Sequence, residues 1–245
     1  MKYKDVNCCY RSACPDGLFA ATFEQVNAIC DENQIVARAL YSADRCGATV
    51  RQMNEQTLRL ARLRADVPVL RLLPLTFPEE CYTLDEISRL AMQGAAFRIH
   101  PQLDAAPLHE WMFPGVFEVL EQTRAPLLIS LEEVDLNDLV ALKTGFPRLV
   151  LVMTNTTQWK NRQYVQFAKR FPDVYIDTSN VIEYYGLESL VHALGADRLL
   201  FGTGMPNKEP YDKIYQLLYS DLSEEVREMI AYGNFERVME RRCDG

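Results

Sequence analysis

A chain of 245 residues, 48% hydrophobic and 24% charged, has the material for one sizeable globular domain, read as a single unit over 1–245. Its 26 Lys and Arg against 34 Asp and Glu give a formal charge of −8, with no basic run beyond "ERR" near the end, which argues against nucleic acid and anionic membranes as partners. No apolar run reaches the roughly 20 residues of a transmembrane helix, residues 1–20 show no cationic-then-apolar leader pattern, and seven irregularly spaced cysteines fit a reducing, cytoplasmic setting.

The first apolar run, 4–7, lies in "KDVNCCY", where simple alternation puts Asp5, Asn7 and Cys9 on one face. Cys8, Cys9 and Cys14 form a "CCYRSAC" cluster that lacks the paired C-x-x-C spacing of structural zinc sites. A helical segment at 17–33 leads to an apolar run at 35–40, and a second at 51–64 leads to one at 67–73. Helical spacing at 83–93 precedes the strand 95–99, which ends "FRIHP". There Phe97 and Ile99 suit a helix-facing side, and Arg98 and His100 take the other. The helix 114–124 precedes a strand at 126–130 that ends on Ser130, with Glu132 and Glu133 just beyond. Helix 136–145 precedes the strand 148–154, whose tip is Asn155. Helix 161–171 precedes the strand 173–178 in "VYIDTSN", and helix 187–195 precedes 197–202 in "LLFGTGMP". Helical segments at 210–220 and 223–242 complete the chain, the last opening on a Ser223 cap.

Eight strand and helix units followed by one more helix predict an α/β chain folded as a (β/α)8 TIM barrel with an extra C-terminal helix. The rival, an open doubly wound sheet, is weakened by the absence of G-x-G-x-x-G after the first strand and of a P-loop. In a barrel the chemistry gathers at the carboxyl ends of the strands. Asp5, Asn7, Cys9, Arg98, His100, Ser130, Glu132, Asn155 and Gly204 are therefore read together as the candidate site.

In order along the chain, "DVNCC", "FRIHP", "APLLIS", "FPRLVLVMTN", "FPDVYIDTS", "ADRLLFGTGMP" and "LSEEVREMIAYGNFERVM" resemble the amidohydrolase-related (amidohydrolase 2) family of TIM-barrel hydrolases and decarboxylases. The resemblance implies D-x-H-x-H on strand 1, a His ending strand 5, another ending strand 6, and an Asp in F-G-[ST]-D-x-P on strand 8, together holding one or two divalent metals. This sequence keeps Asp5 but has Asn7 and Cys9 at the strand 1 histidines, Ser130 and Asn155 at the next two, and Gly204 at the Asp. Zinc lowers the pKa of bound water from 15.7 to about 7, on the order of 12 kcal/mol in hydroxide availability, which a hydroxyl or amide does not replace. The sequence therefore predicts no metal and no cofactor.

Two functional readings follow. One is a non-catalytic descendant that binds a small, anionic molecule or a partner, with Arg98 and His100 holding a carboxylate or phosphate. Against it stands the plain alternative that Arg98 pairs with Asp5 or Glu132 and fills the barrel. The other is a metal-independent hydrolase or lyase, with His100 as acid or base and Glu132 as a second candidate. Ser130 lacks a G-x-S-x-G elbow, and Cys9 with His100 is a further nominal pair. His109 with Trp111 reads as a surface loop near the mouth, His192 as a structural helix residue, and Asn234 as a brace or cap of the last helix. Aromatics in "VIEYYGLESL" and "KEPYDKIYQLLYS" leave room for a homo-oligomeric contact.

Overall fold

A computed structural model describes residues 1–11, 21–44, 48–63, 69–75, 81–156 and 161–240, with the backbone alone for 69–74. Cys14, the start of the first helical segment and the closing "RR" lie outside these residues. Eight parallel strands run in the order β1 (Tyr3–Tyr10), β2 (Ile35–Ser42), β3 (Val69–Leu75), β4 (Ala96–Ile99), β5 (Leu127–Ser130), β6 (Leu151–Thr154), β7 (Val174–Asp177) and β8 (Leu199–Leu200). The segment after β8 closes the ring onto β1. Val6 N donates to Phe201 O at 2.9 Å, Gly204 N to Asn7 O at 2.9 Å and Cys9 N to Met205 O at 3.0 Å. The predicted barrel is the observed one.

Helices α1 (Phe23–Glu32), α2 (Val50–Leu63), α3 (Leu84–Met92), α4 (Val116–Thr123), α5 (Leu136–Gly145), α6 (Asn161–Arg170), α7 (Gly186–Leu194) and α8 (Pro210–Leu218) follow the strands in turn. Two of them start on reciprocal capping boxes written in the sequence, Thr22 with Gln25 and Thr83 with Glu86. The C-terminal segment is α9 (Glu224–Glu228), a π-helical turn at 229–233 and α10 (Asn234–Met239), and Ser223 Oγ accepts from Val226 N as the cap pattern predicts. No helix among the described residues is long and apolar enough to cross a membrane.

Strand alternation divides the core into two shells. Phe97, Ile99, Leu127, Ile129, Leu151 and Met153 pack outward with the helices, while Ala96, Leu128, Val152, Tyr175 and Leu200 fill the barrel. On β1 this rule breaks. Asp5 is in register with Arg38 but Cys8 with Leu40, so three steps on β1 oppose two on β2. Cys9 lies in the inner shell and Asn7 reaches the inward Arg98, as expected, but Val6 joins the inner shell too while Cys8 and Tyr10 face outward, so simple alternation does not hold from Asp5 to Cys9.

Asn234 is buried, and its Nδ2 donates to Ala196 O at 2.8 Å and Leu199 O at 2.7 Å. It thus ties the last helix to the entry of β8 rather than capping its own turn. Asn234→Ala should cost about 1–3 kcal/mol by leaving both carbonyls without this donor. Asn234→Asp should cost more, because a carboxylate would face the same oxygens. Urea titrations of the two variants check that order, and an Asp variant as stable as wild type would refute the brace.

Candidate functional site

The strand ends build one polar network across the barrel mouth. Arg98 leaves β4 with 2% of its surface exposed. Its Nη1 donates to Asn7 Oδ1 at 3.1 Å, its Nη2 to Thr154 Oγ1 at 3.1 Å, and its guanidinium carbon lies 5.0 Å from the Tyr41 ring centre. Neither Asp5 nor Glu132 is its partner, contrary to the barrel-filling expectation. Among the described residues no carboxylate reaches it, and its Nε has no hydrogen-bond partner.

Asn7 is the hub because an amide both accepts and donates. While its oxygen takes Arg98, its Nδ2 donates to Asp177 Oδ2 at 2.8 Å and Ser179 Oγ at 3.1 Å, with Asn155 Oδ1 farther off at 3.4 Å. Asn155, at φ 51°, sits in the left-handed backbone region that Asn tolerates, and its Nδ2 donates to Ser130 Oγ at 3.2 Å. Asp177 is fully buried and also accepts from Ser179 N at 2.8 Å. Burial pushes its carboxyl above the usual range, against hydrogen bonds that pull it down.

Among the described residues, Asp5 touches this network only through the Asn7 backbone. Its Oδ1 accepts from Asn7 N at 2.9 Å and Thr203 N at 3.1 Å, and its Oδ2 from Thr203 Oγ1 at 2.5 Å. Burial raises its pKa to about 6. Gly204, at φ 75°, donates its N–H to Asn7 O and would place a Cβ 3.4 Å from both Lys208 Cδ and Ser179 Cβ. Lys208 reaches over this corner, donating to Ser179 O and Asn180 Oδ1.

His100 is buried, and its Nδ1 lies 3.1 Å from Glu133 Oε1, with its ring 5.7 Å from Tyr41. The acid beside His100 is therefore Glu133. Glu132 is exposed, because the turn after β5 points successive side chains in different directions, and its carbonyl accepts from Gln102. Cys9 lies in the inner shell, where burial raises its thiol pKa despite Arg98 nearby, so it stays a neutral thiol rather than a nucleophilic thiolate. His109 stacks on Trp111 at 6.2 Å and lies 3.8 Å from Asp138 in the first turn of α5, while His192 is exposed on α7.

Sequence reasoning missed Tyr41, Thr154, Asp177, Ser179 and Thr203. Asp177 was legible in principle, since it ends a strand two residues beyond the inward Tyr175. Thr203 was not, because nothing local tells that it grips a carboxylate 198 residues away.

The residues at the resemblance-implied ligand positions do not fit a divalent ion. Asn7, Asn155 and Ser130 are neutral and hydrogen-bonded in series to one another, Gly204 has no side chain, and a guanidinium already bonds Asn7. Among the described residues no three His, Cys, Asp or Glu side chains converge as a metal site requires.

The family model described as amidohydrolase matches residues 32–240. The chain belongs to the amidohydrolase family. Its fold is shared with 5-carboxyvanillate decarboxylase from Sphingomonas paucimobilis, at 15% identity and a TM-score of 0.74 over 98% of this chain and 99% of that one. An uncharacterized TIM-barrel protein from Bordetella bronchiseptica gives 15% identity and 0.75 over 98% and 99%. Dihydroxybenzoic acid decarboxylase from Polaromonas sp. JS666, a structure with bound manganese and the inhibitor 2-nitroresorcinol, gives 16% and 0.67 over 98% and 97%. No curated protein matches. This amidohydrolase-family barrel therefore shares its fold with proteins that include a manganese-containing structure, and presents amides, hydroxyls and an arginine at its own mouth.

Proposed function

We propose that this amidohydrolase-family barrel has given up the metal centre and binds a small carboxylate-bearing molecule at Arg98. The observation that carries this is a guanidinium 2% exposed, held by an amide oxygen, a hydroxyl and a tyrosine face, with Nε unpartnered. Burying a charge is costly unless an opposite charge compensates it, and the neutral partners here orient the fork without neutralising it. A carboxylate does both, since its two oxygens match paired guanidinium donors. Two structurally similar proteins are named as decarboxylases of aromatic carboxylic acids, which supports the same ligand class. The free buried cysteines Cys8, Cys9 and Cys30 support a reducing, cytoplasmic setting for it.

Calorimetric titration with benzoate and with malonate tests the reading. Wild type should bind at least one of them, and folded Arg98→Met should lose about tenfold or more in affinity, the scale of one charge-assisted hydrogen bond. Elemental analysis of protein grown with zinc and manganese should find well below one equivalent of either. Unchanged affinity in Arg98→Met, or near-stoichiometric metal lost on mutating Asp5 or Cys9, overturns it.

The partly buried contact between His100 and Glu133 favours a second reading, metal-independent proton transfer in a hydrolase or lyase. An imidazole whose Nδ1–H is held by a carboxylate keeps its basic lone pair on Nε2. Turnover indifferent to chelator, lost in His100→Ala and weakened in Glu133→Gln, would establish catalysis in place of binding alone.

A further inference from the structure

Lined by residues outside the mouth network, an open cleft of about 430 Å³ lies between the chain before α7 and the outer face of α8. Four tyrosines stand in its walls. Tyr184 is 89% exposed and Tyr219 79%, with Tyr185 and Tyr215 about half exposed. Tyr184 and Tyr185 meet edge to face at 4.4 Å, and Tyr215 and Tyr219, one helical turn apart, stack at 5.9 Å and 27°. Rings are therefore presented in a fixed array rather than scattered. Glu183, Glu188 and Asp221 also line the cleft, and among the described residues no Lys or Arg does.

Among the described residues, Glu183 accepts from Asn161 Nδ2 and Ile182 N, and Glu188 from Asp221 N, all neutral donors. Lys213, beneath, directs its Nζ inward to Val181 O and Gln216. A two-fold contact with a second copy would set Glu183, Glu188 and Asp221 against their own images on a chain already at −8. Aromatic faces edged by carboxylates complement the opposite kind of group.

We propose that this cleft docks an arginine- or lysine-bearing segment of a partner protein, its cationic side chains lying on Tyr184, Tyr215 and Tyr219 and pairing with Glu183, Glu188 and Asp221. Guanidinium groups suit it best, since they stack flat on rings while bonding carboxylates at the edge.

Fluorescence anisotropy with labelled nonaarginine, at physiological salt, is the test. Wild type should bind saturably. The double variant Tyr215→Ser with Tyr219→Ser leaves net charge and buried core untouched, yet should weaken binding about tenfold or more, as loss of two cation–π contacts implies. Glu188→Gln with Asp221→Asn should weaken it similarly. Binding undiminished in the tyrosine variant would mean diffuse attraction to an acidic protein and would overturn the proposal. So would no saturable binding, or a dimer in sedimentation that dissociates on Tyr219→Ser, which would make a second copy the occupant.

Discussion

Gly202→Ala is expected to be among the most damaging single substitutions in the protein, lowering stability by about 3 kcal/mol or more. A Cβ built on Gly202 would stand 1.9 Å from Asp177 Oδ1 and 2.8 Å from its Cγ, far inside contact distance. Asp177 cannot simply swing away. Its oxygens are held by Ser179 N, Ser179 Oγ and Asn7 Nδ2, and the residue is fully buried. The substitution therefore combines overpacking, about 1–3 kcal/mol, with loss of hydrogen bonds to a buried charge, each worth about 1.5–3. A displaced Asp177 would also release Asn7 and through it Arg98, so carboxylate binding should weaken alongside stability. Gly145→Ala is the control, because nothing lies within 4 Å of its added Cβ. A thermal scan should show Gly202→Ala melting roughly 6–12 °C below wild type on the scaling for a domain of this size. A shift within a degree or two would mean the carboxylate is not pinned as described.

Asp5→Ala is expected to cost about 3 kcal/mol or more near neutral pH, because it strands three buried donors at once: Asn7 N, Thr203 N and Thr203 Oγ1. Asp5→Asn keeps an oxygen for the two N–H groups and should cost less. The loss should also depend on pH in a defined sense. Folding raises the Asp5 pKa from 3.8 to about 6, so the protonated form is the one the fold favours. That contribution is complete below about 4 and is lost as pH rises through about 6. The gap between wild type and Asp5→Ala should thus be widest near pH 4 and narrow toward pH 7. Denaturant titrations at several pH values check both sign and window. A gap that widens with rising pH would show instead that the carboxylate is stabilised as an anion.

Periodicity made the barrel and half of its mouth legible in the chain. The inward side of Arg98 and His100 is legible because β4 is regular, and in a regular strand each second side chain shares a face; Ser130 is legible as the tip of β5. The same rule failed on β1, where the extra residue between Asp5 and Cys8 shifts the register, and no local residue pattern marks that bulge. It failed again past the strand ends, where Glu132 and Glu133 are separated only by how the turn leaves β5, and Glu133 rather than Glu132 reaches His100.

The sequence by itself determined how many strand and helix units there are, their order, and which side-chain chemistry each strand end carries: amides, a thiol and a hydroxyl at positions where the family resemblance implies metal ligands, and a guanidinium and an imidazole on β4. Only the tertiary structure decided which of those groups meet. Arg98 takes Asn7 from 91 residues away and Asp5 takes Thr203 from 198, pairings selected by the closure of the ring and the register of each strand. Local periodicity governs which way a side chain points, but the partner it finds depends on distances across the barrel that are settled when all eight strands pack together.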